Sequence, residues 1–155
     1  MKVFTIGFTR KNAERFFGLL CDSGAKRVVD VRLHNVSQLA GFAKRDDLRY
    51  FLRRLCGMDY VHVPELAPTK QILDDYKKRK GSWESYTTQF LDLMRERRIE
   101  RTIDRNIISD GCLLCSEHEP DNCHRRLVAE YLNDHWGGVE IIHLGVNSSR
   151  RVLGL

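Results

Sequence analysis

The sequence predicts an α/β fold in three layers: a largely parallel sheet of about five strands with helices on both faces. Two observations predict it. Short apolar runs rich in β-branched residues recur along the chain, and the stretches between them repeat their apolar residues at helical spacing. Parallel neighbours require crossover connections, and such stretches provide them with the usual right-handed sense.

The elements follow in order. VFTIG at 3–7 reads as the first strand, with Thr9 in position to cap a helix that carries Ala13, Phe16, Phe17 and Leu20 on one face and stops at Gly24. RVVDVRL at 27–33 is the second strand. A helix from Asp46 or Asp47 then presents Leu48, Phe51, Leu52 and Leu55 until Gly57, and DYVHVP at 59–64 is the third strand. KQILDDYKKRKG supplies a short helix ending at Gly81, after which Ser82 caps a longer one with Tyr86, Phe90, Leu93 and Met94 on a common stripe. GCLLCSE at 111–117 is the fourth strand. The helix NCHRRLVAEYLNDHWGG takes Asn122 as its cap and ends at Gly137-Gly138, and VEIIHLG is the fifth strand. The 155 residues fit one domain, 1–155, large enough to bury a core without metal or disulfide staples.

Composition narrows the class. With 30% charged and 42% hydrophobic residues, the chain belongs with globular proteins and not with disordered tails. No apolar run approaches the ~18 residues of a membrane span, and the opening MKVFTIGFTRK is too short for a signal peptide, so a cytoplasmic protein without a membrane partner is expected. Five cysteines are an odd number, and in a reducing compartment no structural disulfide is expected; Cys21 and Cys56 read as packing residues. The net charge of +5 leans only slightly towards a polyanionic partner.

The strand exits carry the chemistry. Asp30 and Arg32 follow the second strand, His62 and Glu65 the third, and Cys115, Ser116, Glu117 and His118 the fourth. Polar side chains are costly inside a doubly covered sheet unless paired or opening on a cleft, and ligands of such sheets sit beyond the carboxyl ends of the strands. These residues are therefore expected to form one site, although Asp30 and Arg32 could simply neutralise each other. Alternation along the fourth strand sends Cys112 and Cys115 to opposite faces, so they are no C-x-x-C pair.

The helix start at NCHRR admits three readings. His124 shares the face of Leu127, Val128 and Tyr131, Arg125 lies on its flank, and Arg126 points away. Backbone N–H groups beside Arg125 suit a phosphate or carboxylate, unless Asn122 caps them. Cys123, at a helix start beside His124 and Arg125, is the better thiolate candidate. A metal held by Cys115, His118 and Cys123 is the alternative, with no standard spacing behind it and with adjacent Cys123 and His124 poorly placed to share an ion. The basic runs KKRK at 77–80 and RERRIERTIDR at 95–105 read as solvated faces, and Trp83, Tyr86 and Phe90 as core.

TIGFTR, VVDVRLHNVS, DYVHVPEL, WESYTTQFLDLM and LLCSEHEPDNCHRRLVAEYL, in that order, resemble the domain-of-unknown-function 488 family over nearly the whole chain. The family's pattern is T-I-G-H-S, D-V-R with a following Ser, Y-x-H-x-P-x-L, then C-x-E and C-H-R-R. The resemblance carries over to Thr5, Gly7, Asp30, Arg32, Ser37, His62, Pro64, Cys115, Glu117, Cys123, His124 and Arg125. Phe8 stands where histidine is common, LHNVS lacks a proline, and Leu66-Ala67-Pro68 replaces Leu-Gly-Gly. The family implies no reaction and no cofactor.

The expectation is a small enzyme with a pocket at the carboxyl edge of the sheet, acting on a phosphate-bearing nucleotide-like or nucleic-acid substrate. Asp30, Glu117, Cys123 and His124 are the catalytic candidates, and Arg32, Ser37, His62, Cys115 and Arg125 the substrate-binding ones. A nucleic-acid-binding module without catalysis, or a metal-binding protein using the Cys/His loop, are the competing readings.

Overall fold

A computed structural model describes residues 1–36, 40–146 and the backbone of 151–152. The helices and strands in chain order are β1 (Lys2–Gly7), α1 (Ala13–Ser23), β2 (Arg27–Asp30), α2 (Arg45–Phe51), β3 (Asp59–His62), α3 (Lys70–Lys77), α4 (Trp83–Arg97), α5 (Ile99–Thr102), α6 (Arg105–Ile108), β4 (Gly111–Cys115), α7 (His124–Trp136), β5 (Glu140–His143) and β6 (Arg151–Val152). The sheet order is β3-β2-β4-β1-β5-β6. The first five strands run parallel, and the two-residue β6 is antiparallel to β5. The three-layer α/β reading therefore holds.

Two cores flank the sheet. Phe16, Phe17 and Leu20 of α1 and Leu48 of α2 pack with Phe4, Val28, Cys112 and Leu114 on one face. Phe90 and Met94 of α4 and Leu127, Val128 and Tyr131 of α7 pack with Val29, Leu113 and Cys115 on the other. The strand alternation that separates Cys112 from Cys115 is thus observed. β1 and β4 are direct neighbours, yet α1 leaves β1 for one face and α7 leaves β4 for the other. Parallel strands whose connections diverge in this way open a crevice at their carboxyl ends. The register puts Gly7 opposite Cys115 and Asp30 opposite both Leu114 and His62, so four strand exits meet at that edge.

Several local expectations are corrected. Asn12, not Thr9, caps α1, accepting from Arg15 N at 2.8 Å. Thr9 instead donates its hydroxyl to the Ser116 carbonyl and ties the β1 exit to the loop after β4. Asn122 does not cap α7; Cys123 holds the cap position and gives it no side-chain hydrogen bond. Within the basic run at 95–105, Arg98 turns left-handed (φ 53°) and separates α4 from α5. α2 continues as a π turn, Leu52–Cys56, that ends at Gly57 in the left-handed region.

That turn carries the largest correction. Cys21 and Cys56 form a disulfide, with Cα atoms 4.9 Å apart. Sequence separation hides the contact, which exists because the last turn of α1 packs against the π turn. Closing a loop over 35 residues restricts the unfolded chain, so Cys21→Ala with Cys56→Ala is expected to cost about 2–4 kcal/mol without reductant. Urea midpoints that coincide for the two proteins would contradict this.

Candidate functional site

Beyond the carboxyl ends of β2 and β4 lies a cavity of about 210 Å³ on the α4/α7 side. Its floor is Cys115, Cys123 and His124, and one wall is Tyr76, Trp83 and Tyr86. Arg32, Lys77 and Glu117 stand around it. The segments between β3 and β4, whose role the sequence left open, form the aromatic wall: Trp83 stacks on Tyr86 (5.0 Å), Tyr86 on Phe90 (6.0 Å), and Phe90 lies 5.4 Å from the His124 ring.

The floor is built by two elements. Cys115 ends β4, and Cys123 and His124 begin α7. All three are buried, and their sulfur and nitrogen atoms lie within 4.8 Å of one another. His124 Nε2 donates to the Val31 carbonyl at 2.7 Å, which leaves Nδ1 to face Cys115 Sγ at 3.4 Å. Adjacency in sequence does not prevent Cys123 and His124 from converging, contrary to expectation, because Cys123 is extended (φ −136°) while His124 is already helical. His118 does not join them; its Nδ1 accepts from Lys11 and its Nε2 lies 3.4 Å from Glu119.

Electrostatics differentiate the two thiols. Burial opposes ionisation of Cys123, but its hydrogen bond with the Cys115 thiol and the neighbouring His124 and Arg125 side chains hold it well below the usual thiol range. Cys115 is pushed up, first by its hydrogen bond to Cys123 and then by burial. Cys112 is also pushed up, by burial, and lies in the opposite core.

Arg32 enters the cavity from β2 with its charge already balanced. Asp30 is fully buried and accepts from Arg32 Nε and Nη2, both at 2.9 Å, from Arg32 N at 3.1 Å, and from the Tyr60 hydroxyl. This is the mutually neutralising pair weighed above, and the carboxylate has no vacancy for acid-base work. Arg32 Nη1, however, is buried and has no hydrogen-bond partner among the described residues. Phe8, at the position where the family resemblance suggests histidine, lies under the guanidinium at 5.5 Å. His62 does not line the cavity; its Nε2 donates to the Arg32 carbonyl at 2.9 Å and so fixes the Arg32 backbone. Ser37 lies outside the described residues.

Arg125 does not line the cavity either. It is fully buried, and its guanidinium donates to the carbonyls of Glu117 and His118 and to the Thr5 hydroxyl. It therefore pins the loop after β4 and is not placed to hold a ligand. Glu117, in contrast, is 45% exposed and accepts from Lys77 Nζ at 2.8 Å. Burial alone would lower Lys77, but this bond to Glu117 outweighs it and raises the ammonium's pKa.

Behind the loop, Lys11 is lowered to about 8, chiefly by burial and then by Arg125 and Arg15. The unfolded chain holds its proton up to an ordinary 10.5, so charged Lys11 opposes folding in full below about pH 8, and the penalty fades as pH rises to 10.5. Lys11→Met is expected to raise stability at pH 7 by roughly 1 kcal/mol, discounted for solvent screening at a half-buried position. Urea unfolding at pH 7 and pH 10.5 checks this: a gain that grows with pH has the wrong sign.

A family model matches residues 12–132, a span that includes the aromatic wall and the whole Cys/His floor. The chain belongs to the family described as domain of unknown function DUF488. No curated protein and no solved structure matches it. Membership covers most of the 155 residues, and among the described residues no helix is long and apolar enough to cross a membrane. The sequence reading missed Tyr76 and Lys77 as cavity residues and ranked Trp83 as core ahead of a base-stacking surface. A signal existed, since Lys77 and Tyr76 sit on one turn immediately before an aromatic-rich helix, but the same spacing describes a packed face equally well.

Proposed function

We propose that the chain is a small enzyme acting on a phosphate-bearing, nucleotide-like substrate, with Cys115, Cys123 and His124 as its reactive centre. The observation that carries this reading is the buried Arg32 Nη1, which has no hydrogen-bond partner among the described residues, in a cavity whose other walls are an aromatic stack and a thiol–imidazole floor. A planar ring fits against Trp83 and Tyr76. Its phosphate is met by Arg32 Nη1, by Lys77 and by the start of α7, which takes no side-chain cap. About 210 Å³ admits a ring and its charged group, below the ~300–1,000 Å³ of drug-sized sites. That size favours a mononucleotide or a single unstacked base over a duplex.

Roles divide accordingly. Glu117, exposed and within reach of the mouth, is the candidate general acid or base. Asp30 and His62 position Arg32, and Arg125 positions the loop that presents Glu117. We place this activity in the cytoplasm, with Cys115 and Cys123 as free thiols although Cys21 and Cys56 are joined.

Calorimetric titration with the common nucleoside 5′-monophosphates tests the reading. Wild type is expected to bind at least one of them, Lys77→Met to weaken it about tenfold through loss of a charge-assisted contact, and Trp83→Ala by a similar factor through lost stacking. Both variants should keep their unfolding midpoints within a few degrees. Absence of binding at millimolar ligand, or equal affinity in all three proteins, would remove the proposal.

A further inference from the structure

The geometry points to a mononuclear zinc ion held by Cys115 Sγ, Cys123 Sγ and His124 Nδ1, with its fourth coordination position facing the cavity. This donor set differs from the Cys115, His118 and Cys123 set that the residue types offered in the sequence. It relies on the substrate reading only in giving the fourth position to water or substrate.

Four observations carry it. The three donor atoms lie within 4.8 Å of one another. Zinc–sulfur and zinc–nitrogen bonds of about 2.3 and 2.0 Å at a tetrahedral angle place sulfur and nitrogen about 3.5 Å apart, and Cys115 Sγ lies 3.4 Å from His124 Nδ1. Secondly, His124 donates its other ring nitrogen to the Val31 carbonyl at 2.7 Å, so the Nδ1 lone pair is turned into the cluster. Metal-bound histidines are held by such an outer hydrogen bond, which fixes both tautomer and ring orientation.

Thirdly, the donors are soft and buried. Cys115, Cys123 and His124 are 7%, 2% and 6% exposed, and among the described residues no carboxylate belongs to the group. Two thiolates and an imidazole select zinc over magnesium or calcium, whose ligands are oxygens. The dication balances two buried thiolates, which would otherwise repel each other. Fourthly, all three donors line the cavity. A closed four-ligand site would be structural, whereas three protein ligands beside a cleft leave a position for water or substrate.

The donors also sit on well-anchored backbone. Cys115 pairs in register with Gly7, and α7 is tied to β1 through Arg125 and Thr5. Little reorganisation is therefore needed to admit the ion.

Elemental analysis of reduced protein, purified without chelator and without a metal-affinity tag, tests the inference. Near-stoichiometric zinc is expected, falling at least about tenfold in Cys123→Ser and in His124→Ala and unchanged in the Cys21→Ser, Cys56→Ser double variant. Should the site variants fail to fold, wild type stripped of metal and titrated with cobalt decides: a saturable thiolate-to-cobalt charge-transfer band with the visible bands of a tetrahedral ion is expected. Folded wild type that carries no zinc and develops no such spectrum would overturn the site, and stoichiometric iron or copper in place of zinc would overturn the choice of ion. Monophosphate binding is read separately through Lys77 and Trp83, so binding by zinc-free protein would leave the pocket standing and remove the metal, while zinc without monophosphate binding would do the reverse.

Discussion

Arg125→Met is expected to destabilise the protein by about 3–5 kcal/mol, whereas Glu117→Gln, a few residues away in the same motif, should change stability by less than about 1 kcal/mol. The two differ in surroundings. Arg125 is fully buried and its guanidinium satisfies two carbonyls and a hydroxyl. A methionine of similar length leaves the carbonyls of Glu117 and His118 without their donor at the core's edge, and each such loss costs about 1–3 kcal/mol. Glu117 is half exposed and loses only a screened ion pair with Lys77. Urea unfolding of the two variants measures the contrast. Near-wild-type stability for Arg125→Met would mean that the loop is held by other contacts and that Arg125 is available to a ligand after all.

Gly7→Ala is expected to cost about 3 kcal/mol or more and to displace the loop that carries Glu117. No unusual dihedral is involved; the constraint is space. A Cβ on Gly7 would stand 1.7 Å from the Glu117 carbonyl oxygen and 2.6 Å from its carbon, with Arg125 Nη1 at 3.1 Å. The two Glu117 atoms are backbone and that carbonyl is held by the same Arg125, so neither side can step aside alone. Unfolding midpoints and monophosphate affinity should fall together in this variant. Unchanged stability would show that the crossing of loop and strand is looser than described.

The fold was legible because its signals are local. Five short apolar runs, four of them with β-branched residues and with helical faces between them, mark a covered parallel sheet whatever the tertiary detail, and even the opposite facing of Cys112 and Cys115 follows from strand alternation. The edge of the sheet was legible for the same reason: polar residues at successive strand ends have few other places to go. What was not legible depends on which atoms meet across the fold. Arg125 and Arg32 look alike as cations near a helix start and a strand end, yet one spends its donors on backbone carbonyls while the other has, among the described residues, no partner for Nη1 beside the cavity.

Pairing across distance failed for the same reason. Cys21 and Cys56 are 35 residues apart and carry no mark of their bond. The alternative metal set of Cys115, His118 and Cys123 is not what the fold brings together, because the loop turns His118 towards Lys11 while the first turn of α7 brings His124 back over Cys115. The helical stripe containing Trp83, Tyr86 and Phe90 read as core, which is true of Tyr86 and Phe90; Trp83, one turn nearer the end, is only partly buried and reaches the cavity.

Trp83 also offers the most direct measurement. The protein has two tryptophans, and Trp136 lies elsewhere, under Arg105 and bonded to the Glu100 carbonyl. In a Trp136→Phe variant the emission reports on the cavity wall alone. Titration with nucleoside 5′-monophosphates should quench or shift it saturably, with the half-point moving about tenfold upward when Lys77→Met is added. Emission that stays flat to millimolar ligand, in a variant shown to be folded, would contradict a substrate pocket at this edge of the sheet.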